Sequence, residues 1–219
     1  MTMNKNLQDV LHAMQQATSK APTNHVTTLI AATKSQTVAR IIELIGQGVT
    51  DIGENRVQEA IDKKKEITSL GCRPHWHLIG PLQSNKVQKA CQTFDVIHTL
   101  DREKTAQAVS EACYSLGKTM ECFIQVNIGR EAQKSGVDIE GLSSLIMFVR
   151  GLPAIKLVGL MAVPPAQQAP APYFALLAKL AQQEGLAGLS MGMSSDYEIA
   201  LALGATHIRL GTALFGARH

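Results

Sequence analysis

The feature that most constrains the fold of this chain is a regular alternation of short apolar runs with longer amphipathic stretches. The apolar runs have the length of strands. The stretches between them repeat apolar residues three and four positions apart, as in a helix that buries one face. Strands that alternate with helices form parallel βαβ units. Eight such units within 219 residues predict an α/β fold, a single (β/α)8 barrel of the TIM type with short loops.

The predicted elements cover most of the chain. Strands are expected at 28–33, 50–53, 75–79, 95–99, 121–126, 155–163, 189–191 and 206–210, with helices at 38–46, 57–68, 85–91, 102–116, 142–149, 173–183 and 196–203. An extra N-terminal helix over 6–19 places Leu7, Val10, Leu11 and Met14 on one face. An open doubly wound sheet is the alternative, but no Gly-x-Gly-x-x-Gly follows the first strand.

No segment of the sequence divides the chain into separate domains. The Pro-rich segment 164–172 is the one low-complexity stretch, and it is short enough to be the loop after the sixth strand. We therefore expect one domain over residues 1–219. Without heptad repeats, a monomer is the default expectation.

Composition and charge exclude several classes of protein. The net charge is only +3 and the basic residues are interspersed with acids, so nucleic acid is not an expected partner. No apolar run approaches the roughly 20 residues that span a bilayer, and the N-terminus lacks the apolar core of a secretion signal. The four cysteines form no Cys-x-x-Cys pair, which favours reduced thiols. We expect a cytoplasmic protein that does not bind membranes.

A lysine follows the first predicted strand directly. In (β/α) barrels, chemistry gathers where strands end and the following loops begin, and Lys34 lies at such an end. Partial removal from water favours an uncharged amine, and an uncharged amine attacks an aldehyde to form a Schiff base. The position alone, however, favours a surface lysine whose ammonium group reaches water.

Two glycine- and hydroxyl-rich loops follow the seventh and eighth strands. In barrels of this type these loops frequently form a phosphate site together with a helix N-terminus. The residues concerned are Gly192, Ser194, Ser195, Gly211 and Thr212. An alternative is that Ser195 and Glu198 form a capping box for the next helix. That alternative leaves the remaining four residues unexplained.

Other polar residues lie within the predicted strands themselves. Arg209 lies in an apolar strand and needs a partner, which is either an internal carboxylate or a bound ligand. His75 and His77 share one face of a strand, so a metal site is conceivable. Only His98 and His207 are available as further histidine ligands. Because that ligand set is thin, we expect no metal.

Several sequence blocks carry a resemblance to a known family. They are Ala31-Ala-Thr-Lys34, Gly53-Glu-Asn-Arg-Val-Gln-Glu59, His75-Trp-His-Leu-Ile-Gly-Pro-Leu-Gln-Ser-Asn-Lys86, Gly159-Leu-Met-Ala162, Leu189-Ser-Met-Gly-Met-Ser194 and Ile208-Arg-Leu-Gly-Thr212. In combination they resemble the YggS/PROSC family of pyridoxal phosphate homeostasis proteins over nearly the whole chain. Thr33 and the pair Ser35-Gln36 depart from the family's usual residues, and neither change removes a group that the chemistry needs.

The resemblance implies a cofactor and a set of ligands. The fold would be that of the N-terminal domain of alanine racemase, with pyridoxal 5'-phosphate (PLP) held as a Schiff base on Lys34. The phosphate would lie on Ser194, Ser195, Gly211 and Thr212. The other implied cofactor contacts are Asn55 beside the ring, His77, Met161, and Arg209 at the pyridine nitrogen or the phosphate.

The resemblance also implies PLP homeostasis by storage, carriage or delivery, with PLP-dependent apo-enzymes as recipients and Lys134 as a conceivable second attachment point. Racemisation needs an acid or base on each face of the substrate. None of Tyr114, Tyr173 and Tyr197 lies at a predicted strand end, and we expect no further domain to supply such a group. We therefore expect no catalytic residues. The alternatives are a PLP-dependent amino-acid racemase and a metal-dependent hydrolase that uses His75 and His77.

Overall fold

The eight predicted strands form one closed parallel barrel, in chain order from β1 to β8. The computed structural model describes residues 5–18 and 26–216. The strands are β1 (Thr28–Ala32), β2 (Asp51–Glu54), β3 (His75–Leu78), β4 (Val96–Leu100), β5 (Met120–Gln125), β6 (Ile155–Met161), β7 (Gly188–Met193) and β8 (His207–Leu210). β1 pairs with both β2 and β8, which closes the barrel and confirms the predicted fold class.

Helices surround the barrel and connect its strands. They are α1 (Lys5–Thr18), α2 (Val38–Ile45), α3 (Val57–Ser69), α4 (Val87–Thr93), α5 (Glu103–Ser115), α6 (Leu142–Arg150), α7 (Ala171–Gln183), α8 (Tyr197–Ala202) and α9 (Thr212–Phe215), with a 3-10 turn at Ser84–Lys86. The boundaries differ from the predicted ones by one or two residues in most elements. The short α9 was not predicted, because four residues are too few to show helical periodicity. No helix in the described part of the chain has the length and apolar character needed to cross a membrane.

The N-terminal helix α1 is confirmed over its described residues. Leu7 and Val10 are buried against the core, whereas Leu11 is 40% exposed. The Asn6 side chain donates a hydrogen bond to the backbone carbonyl of Leu214 in α9, at 3.3 Å. The predicted end of this helix at residue 19 lies outside the described residues.

Close packing of backbones sets the geometry at the carboxyl ends of the strands. A Cβ atom on Gly80 would lie 2.3 Å from the backbone oxygen of Asn55, so only glycine fits there. Gly192 has a φ of +95°, and a Cβ atom on it would lie 2.6 Å from the Cβ atom of Ala200. Glycine at these two positions lets β3 and β7 turn sharply into their loops.

The inside of the barrel holds polar side chains where most barrels of this type are filled by branched apolar residues. One hydrogen-bonded chain runs from Arg209 through Ser190, His98 and His77 to Asp51. Its successive distances are 2.6, 2.8, 3.0 and 2.9 Å. This chain crosses the interior from the carboxyl end of β8 to the amino end of β2.

The groups at its two ends determine which atom donates and which accepts in each hydrogen bond of this series. Burial lowers the pKa of both His77 and His98, so both imidazoles are neutral at pH 7. The Asp51 carboxylate only accepts and the Arg209 guanidinium only donates. His77 therefore donates from Nε2 to Asp51 and accepts at Nδ1 from His98. The Ser190 hydroxyl accepts from Arg209 and donates to Nδ1 of His98.

Candidate functional site

A cavity of about 280 Å³ opens at the carboxyl ends of β1, β7 and β8. Its lining combines two cations, three hydroxyl groups and the backbone of two loops. The lining residues are Ala32, Lys34, Gln36, Met193, Ser194, Ser195, Arg209, Gly211, Thr212 and Gly216. No carboxylate is among them, so the lining is electropositive and suited to an anion.

The backbone at Lys34 is anchored, although its side chain is exposed. The backbone carbonyl of Thr33 accepts a hydrogen bond from Lys63 Nζ at 2.7 Å, and the Thr33 hydroxyl donates to Glu54 Oε1 at 2.6 Å. Ser35 then takes a φ of +62°, which turns the chain away from the strand. Lys34 is exposed and lines the cavity, which agrees with the alternative of a lysine at the protein surface.

The loops after β7 and β8 meet at the hydroxyl group of Ser194. Ser194 Oγ accepts hydrogen bonds from the backbone N–H groups of Gly211, at 3.2 Å, and Ala213, at 3.1 Å. One hydroxyl oxygen beside the cavity thus accepts from two backbone amides. An oxygen of a bound anion can compete for the same donors.

The alternative role of Ser195 as a helix cap is wrong. α8 begins at Tyr197 with Asp196 as its N-cap residue, and Ser195 lies one position further out. The Asp196 carboxylate accepts a hydrogen bond from the backbone N–H of Met193 at 2.6 Å and so closes the turn. The Ser195 hydroxyl is left exposed at the cavity.

Arg209 forms the floor of the cavity. Its side chain is buried and donates to Ser190 Oγ, at 2.6 Å, and to the backbone carbonyl of Ala162, at 3.1 Å. Burial lowers its pKa to about 10, so the guanidinium keeps its charge at neutral pH. Among the described residues no carboxylate forms an ion pair with Arg209. The predicted alternative of an internal salt bridge is therefore not what the structure shows.

Three residues that the resemblance assigned to the cofactor do not line this cavity. Asn55 lies on a separate surface pocket beside Pro81. Met161 is buried inside the barrel, in a small cluster with Phe123. His77 is 1% exposed and belongs to the interior hydrogen-bonded chain. His77 does not reach the cavity because it lies before the carboxyl end of β3 and its side chain faces the interior of the barrel.

Residues that the sequence analysis did not assign to the cofactor also line the cavity. They include Gln36, Met193 and Gly216. Gln36 lies two positions after Lys34, in the tight turn where its backbone N–H donates to the Thr33 carbonyl at 3.0 Å. A glutamine after a strand-end lysine carries no distinctive signal, so only the folded turn brings it to the site.

Lys134, the conceivable second attachment point, lies in the loop after β5. Its ammonium group forms an ion pair with Glu131 at 2.5 Å and donates to the carbonyl of Pro164 at 3.2 Å. It is not among the residues that line the cavity. Its amine is committed to these partners in the structure.

The fold and the site together define a (β/α)8 barrel protein whose carboxyl-end mouth carries a lysine and an electropositive lining suited to an anion. Comparison with known proteins identifies the family. The sequence model of the alanine racemase N-terminal domain family matches residues 5–219. A pyridoxal phosphate homeostasis protein of Pseudomonas aeruginosa is 39% identical over 99% of this chain and 96% of its own length. The chain belongs to this family, in its branch of pyridoxal phosphate homeostasis proteins.

Solved structures show the same fold. PipY of Synechococcus elongatus, solved with PLP bound, is 36% identical, with a TM-score of 0.80 over 93% of this chain and 99% of its own. An alanine racemase of Clostridium difficile has a TM-score of 0.74 at 16% identity and covers 97% of this chain. This chain covers 60% of that racemase, and the likeness is one of fold alone.

Proposed function

We propose that the chain binds PLP at the cavity, with the aldehyde attached to Lys34 as a Schiff base. The single observation that carries this proposal is the lining of the cavity. An exposed amine and a buried guanidinium share it with hydroxyl and amide donors, and it holds no carboxylate. PLP presents an aldehyde, a ring nitrogen and a phosphate, and these groups match that donor set. The bound PLP of PipY supports the choice of ligand.

The phosphate would lie between the two loops that Ser194 joins. The amides of Gly211 and Ala213 point toward this hydroxyl, and the Ser195 and Thr212 hydroxyls line the same wall. Hydroxyl and backbone N–H groups are the usual ligands of phosphate in barrels of this kind. We propose Ser194, Ser195, Gly211 and Thr212 as the phosphate ligands.

We further propose that the protein stores or delivers the cofactor and does not turn over a substrate. The PLP ring withdraws electrons more strongly when its nitrogen carries a proton, and the partner of that nitrogen decides whether it does. Arg209 keeps its own proton at neutral pH, so it would donate a hydrogen bond without protonating that nitrogen. No tyrosine is among the lining residues, so the site lacks an evident second acid or base. PLP-dependent apo-enzymes are the proposed recipients.

The remaining proposals concern the state of the protein. We propose a single-domain monomer in the cytoplasm. In the described part of the chain Cys91, Cys113 and Cys122 are free and buried, which suits a reducing compartment. Size-exclusion chromatography with light scattering measures the oligomeric state, and a dimer at micromolar concentration would contradict the proposal.

Borohydride reduction tests the attachment site. Protein incubated with PLP is expected to show a visible absorption band that borohydride bleaches, with the reduced label on the peptide that contains Lys34. Lys34→Ala should lose the label, whereas the matched control Lys134→Ala should keep it. A reducible band that persists in Lys34→Ala would overturn the assignment of Lys34 as the attachment site. A labelled Lys134 peptide would support Lys134 as a second attachment point.

A racemase is the second candidate, because the chain shares its fold with alanine racemase. Exchange of the α-hydrogen of L-alanine with solvent, followed by NMR in D2O, separates the two functions. The carrier proposal expects exchange no faster than with free PLP. Exchange well above that rate, and lost in Lys34→Ala, would establish the enzyme.

A further inference from the structure

Three metal-ligating atoms converge at the amino end of the barrel, opposite the cavity. Strand register brings them together, because Asp51 of β2 pairs with His75 of β3, and His77 follows on the same face. Asp51 Oδ1 lies 2.9 Å from His77 Nε2 and 3.4 Å from His75 Nδ1, and the two nitrogens are 3.2 Å apart. The sequence pointed to His75 and His77 but not to Asp51, which comes from the neighbouring strand.

We propose that Asp51, His75 and His77 bind one divalent transition-metal ion of the zinc type. Tetrahedral zinc holds nitrogen and oxygen ligands at about 2.0–2.2 Å, which sets the ligand atoms about 3.3 Å from one another. The three observed separations, from 2.9 to 3.4 Å, describe one face of such a tetrahedron. Two imidazoles and one carboxylate are a donor set that zinc takes in proteins.

The groups around the three ligands hold them in place. The second carboxylate oxygen of Asp51 accepts a hydrogen bond from the Thr50 hydroxyl at 2.6 Å, which leaves Oδ1 to point at the histidines. His77 has its other ring nitrogen 3.0 Å from His98 Nε2. Hydrogen bonds of this kind orient the ligands of most protein metal sites.

The three ligands are open to solvent on the side of His75. The His75 side chain is 48% exposed and that of Asp51 is 18% exposed, whereas that of His77 is 2% exposed. An ion can therefore enter from the bottom of the barrel and keep a water molecule as its fourth ligand.

A cation would satisfy this cluster more fully than hydrogen bonds do. Asp51 Oδ1 can accept hydrogen bonds from both imidazoles, but its 3.4 Å separation from His75 Nδ1 is long for a hydrogen bond. The contact of 3.2 Å between His75 Nδ1 and His77 Nε2 also sets two ring nitrogens side by side. One cation at the centre would give all three atoms a common partner.

Metal binding would reverse the hydrogen bonds inside the barrel. An ion on Nε2 of His77 places the proton of that ring on Nδ1, which then donates to Nε2 of His98. His98 must in turn carry its proton on Nδ1 and donate to Ser190 Oγ. The hydroxyl oxygen of Ser190 also accepts from Arg209, so the ion would be linked to the floor of the cavity at the other end of the barrel.

Metal content and affinity test the site. The full chain, prepared without a histidine tag and stripped with a chelator, is dialysed against buffered zinc and measured by mass spectrometry. Cobalt titration provides a visible spectrum that reports tetrahedral coordination. The wild type should take up one equivalent. His75→Ala should weaken binding by at least about tenfold, and so should Asp51→Asn. The matched control His12→Ala, which removes an exposed histidine of α1, should bind as the wild type does.

Two results would overturn the proposal. One is less than one equivalent in the wild type at micromolar free zinc. The other is unchanged affinity in His75→Ala, which would point to thiols or another site. Because His75 is largely exposed, this variant is expected to fold. Nitrogen NMR of the histidines adds a readout of the ligand atom, since zinc should move the proton of His98 from Nε2 to Nδ1. An unchanged His98 would show that Nε2 of His77 does not hold the ion. None of these measurements depends on PLP.

Discussion

At the residue scale, the hydroxyl of Ser194 lies at the centre of the proposed phosphate site. It accepts hydrogen bonds from two backbone amides at the start of α9, directly after β8, and it lies on the loop after β7. One oxygen atom therefore joins the two loops before any ligand arrives. A preformed arrangement of this kind reduces the ordering that a ligand must cause on binding.

Ser194→Ala should weaken PLP binding about tenfold or more, because a hydrogen bond to a charged group contributes roughly 1.5–3 kcal/mol. Ser195→Ala should have a smaller effect, since the Ser195 hydroxyl is exposed and makes no hydrogen bond to any described residue. Absorbance titration of each variant with PLP measures the dissociation constants. A larger loss of affinity in Ser195→Ala than in Ser194→Ala would contradict the proposal that Ser194 contributes more to PLP binding.

At the element scale, a buried ion pair joins α3 to the ends of β1 and β2. Lys63 of α3 lies 2.6 Å from Glu54 of β2, with the Glu54 side chain fully buried and that of Lys63 13% exposed. Both residues also bind Thr33, directly before Lys34. The second oxygen of Glu54 is buried without a hydrogen-bond partner among the described residues. The proposed cofactor lysine therefore depends on packing between elements for its position.

Lys63→Ala should lower the free energy of unfolding by about 3–5 kcal/mol, because it leaves the Glu54 carboxylate buried and unpaired. Arg130→Ala is the control: its ion pair with Glu140 is exposed, and its removal should change stability little. Urea unfolding of both variants measures the difference. Equal effects would show that the buried pair does not hold these elements together.

At the scale of the whole molecule, the polar interior should make the barrel sensitive to acid. Burial, together with the nearby His77, lowers the pKa of His207 to about 4. Burial lowers the pKa of His77 and His98 as well. In the unfolded chain each histidine takes up its proton near pH 6.5. Between pH 6.5 and pH 4 the unfolded state therefore binds more protons than the folded state, and stability falls as the pH falls.

For His207 alone the loss should reach roughly 3 kcal/mol by pH 4. Urea unfolding between pH 7 and pH 4.5, with a chelator present to exclude metal, measures the slope. His207→Gln should flatten that slope, since glutamine does not titrate. A wild-type free energy of unfolding that stays constant over this pH range would contradict the conclusion that the buried histidines are neutral.

Much of the molecule could be predicted from the sequence, because it rests on local patterns. Alternating periodicity predicted the order and type of the elements, and eight parallel units without a Gly-x-Gly-x-x-Gly motif favoured a closed barrel over an open doubly wound sheet. The strand-end positions of Lys34, Ser194 and Gly211 follow from the same pattern, and all three line the cavity. Residues that touch the site through a tight turn, such as Gln36, carried no such signal.

Closure of the barrel decided the rest. It sets β1 beside β8, which brings Lys34 to the loop of Gly211 although the two are far apart in the chain. Register between β2 and β3 placed Asp51 opposite His75. The orientation of β3 in the closed barrel buried His77 in the interior. A sequence read along one strand reports which face a side chain takes, but not which side chain of the next strand lies opposite. That second choice depends on register and curvature, which exist only once all eight strands have met.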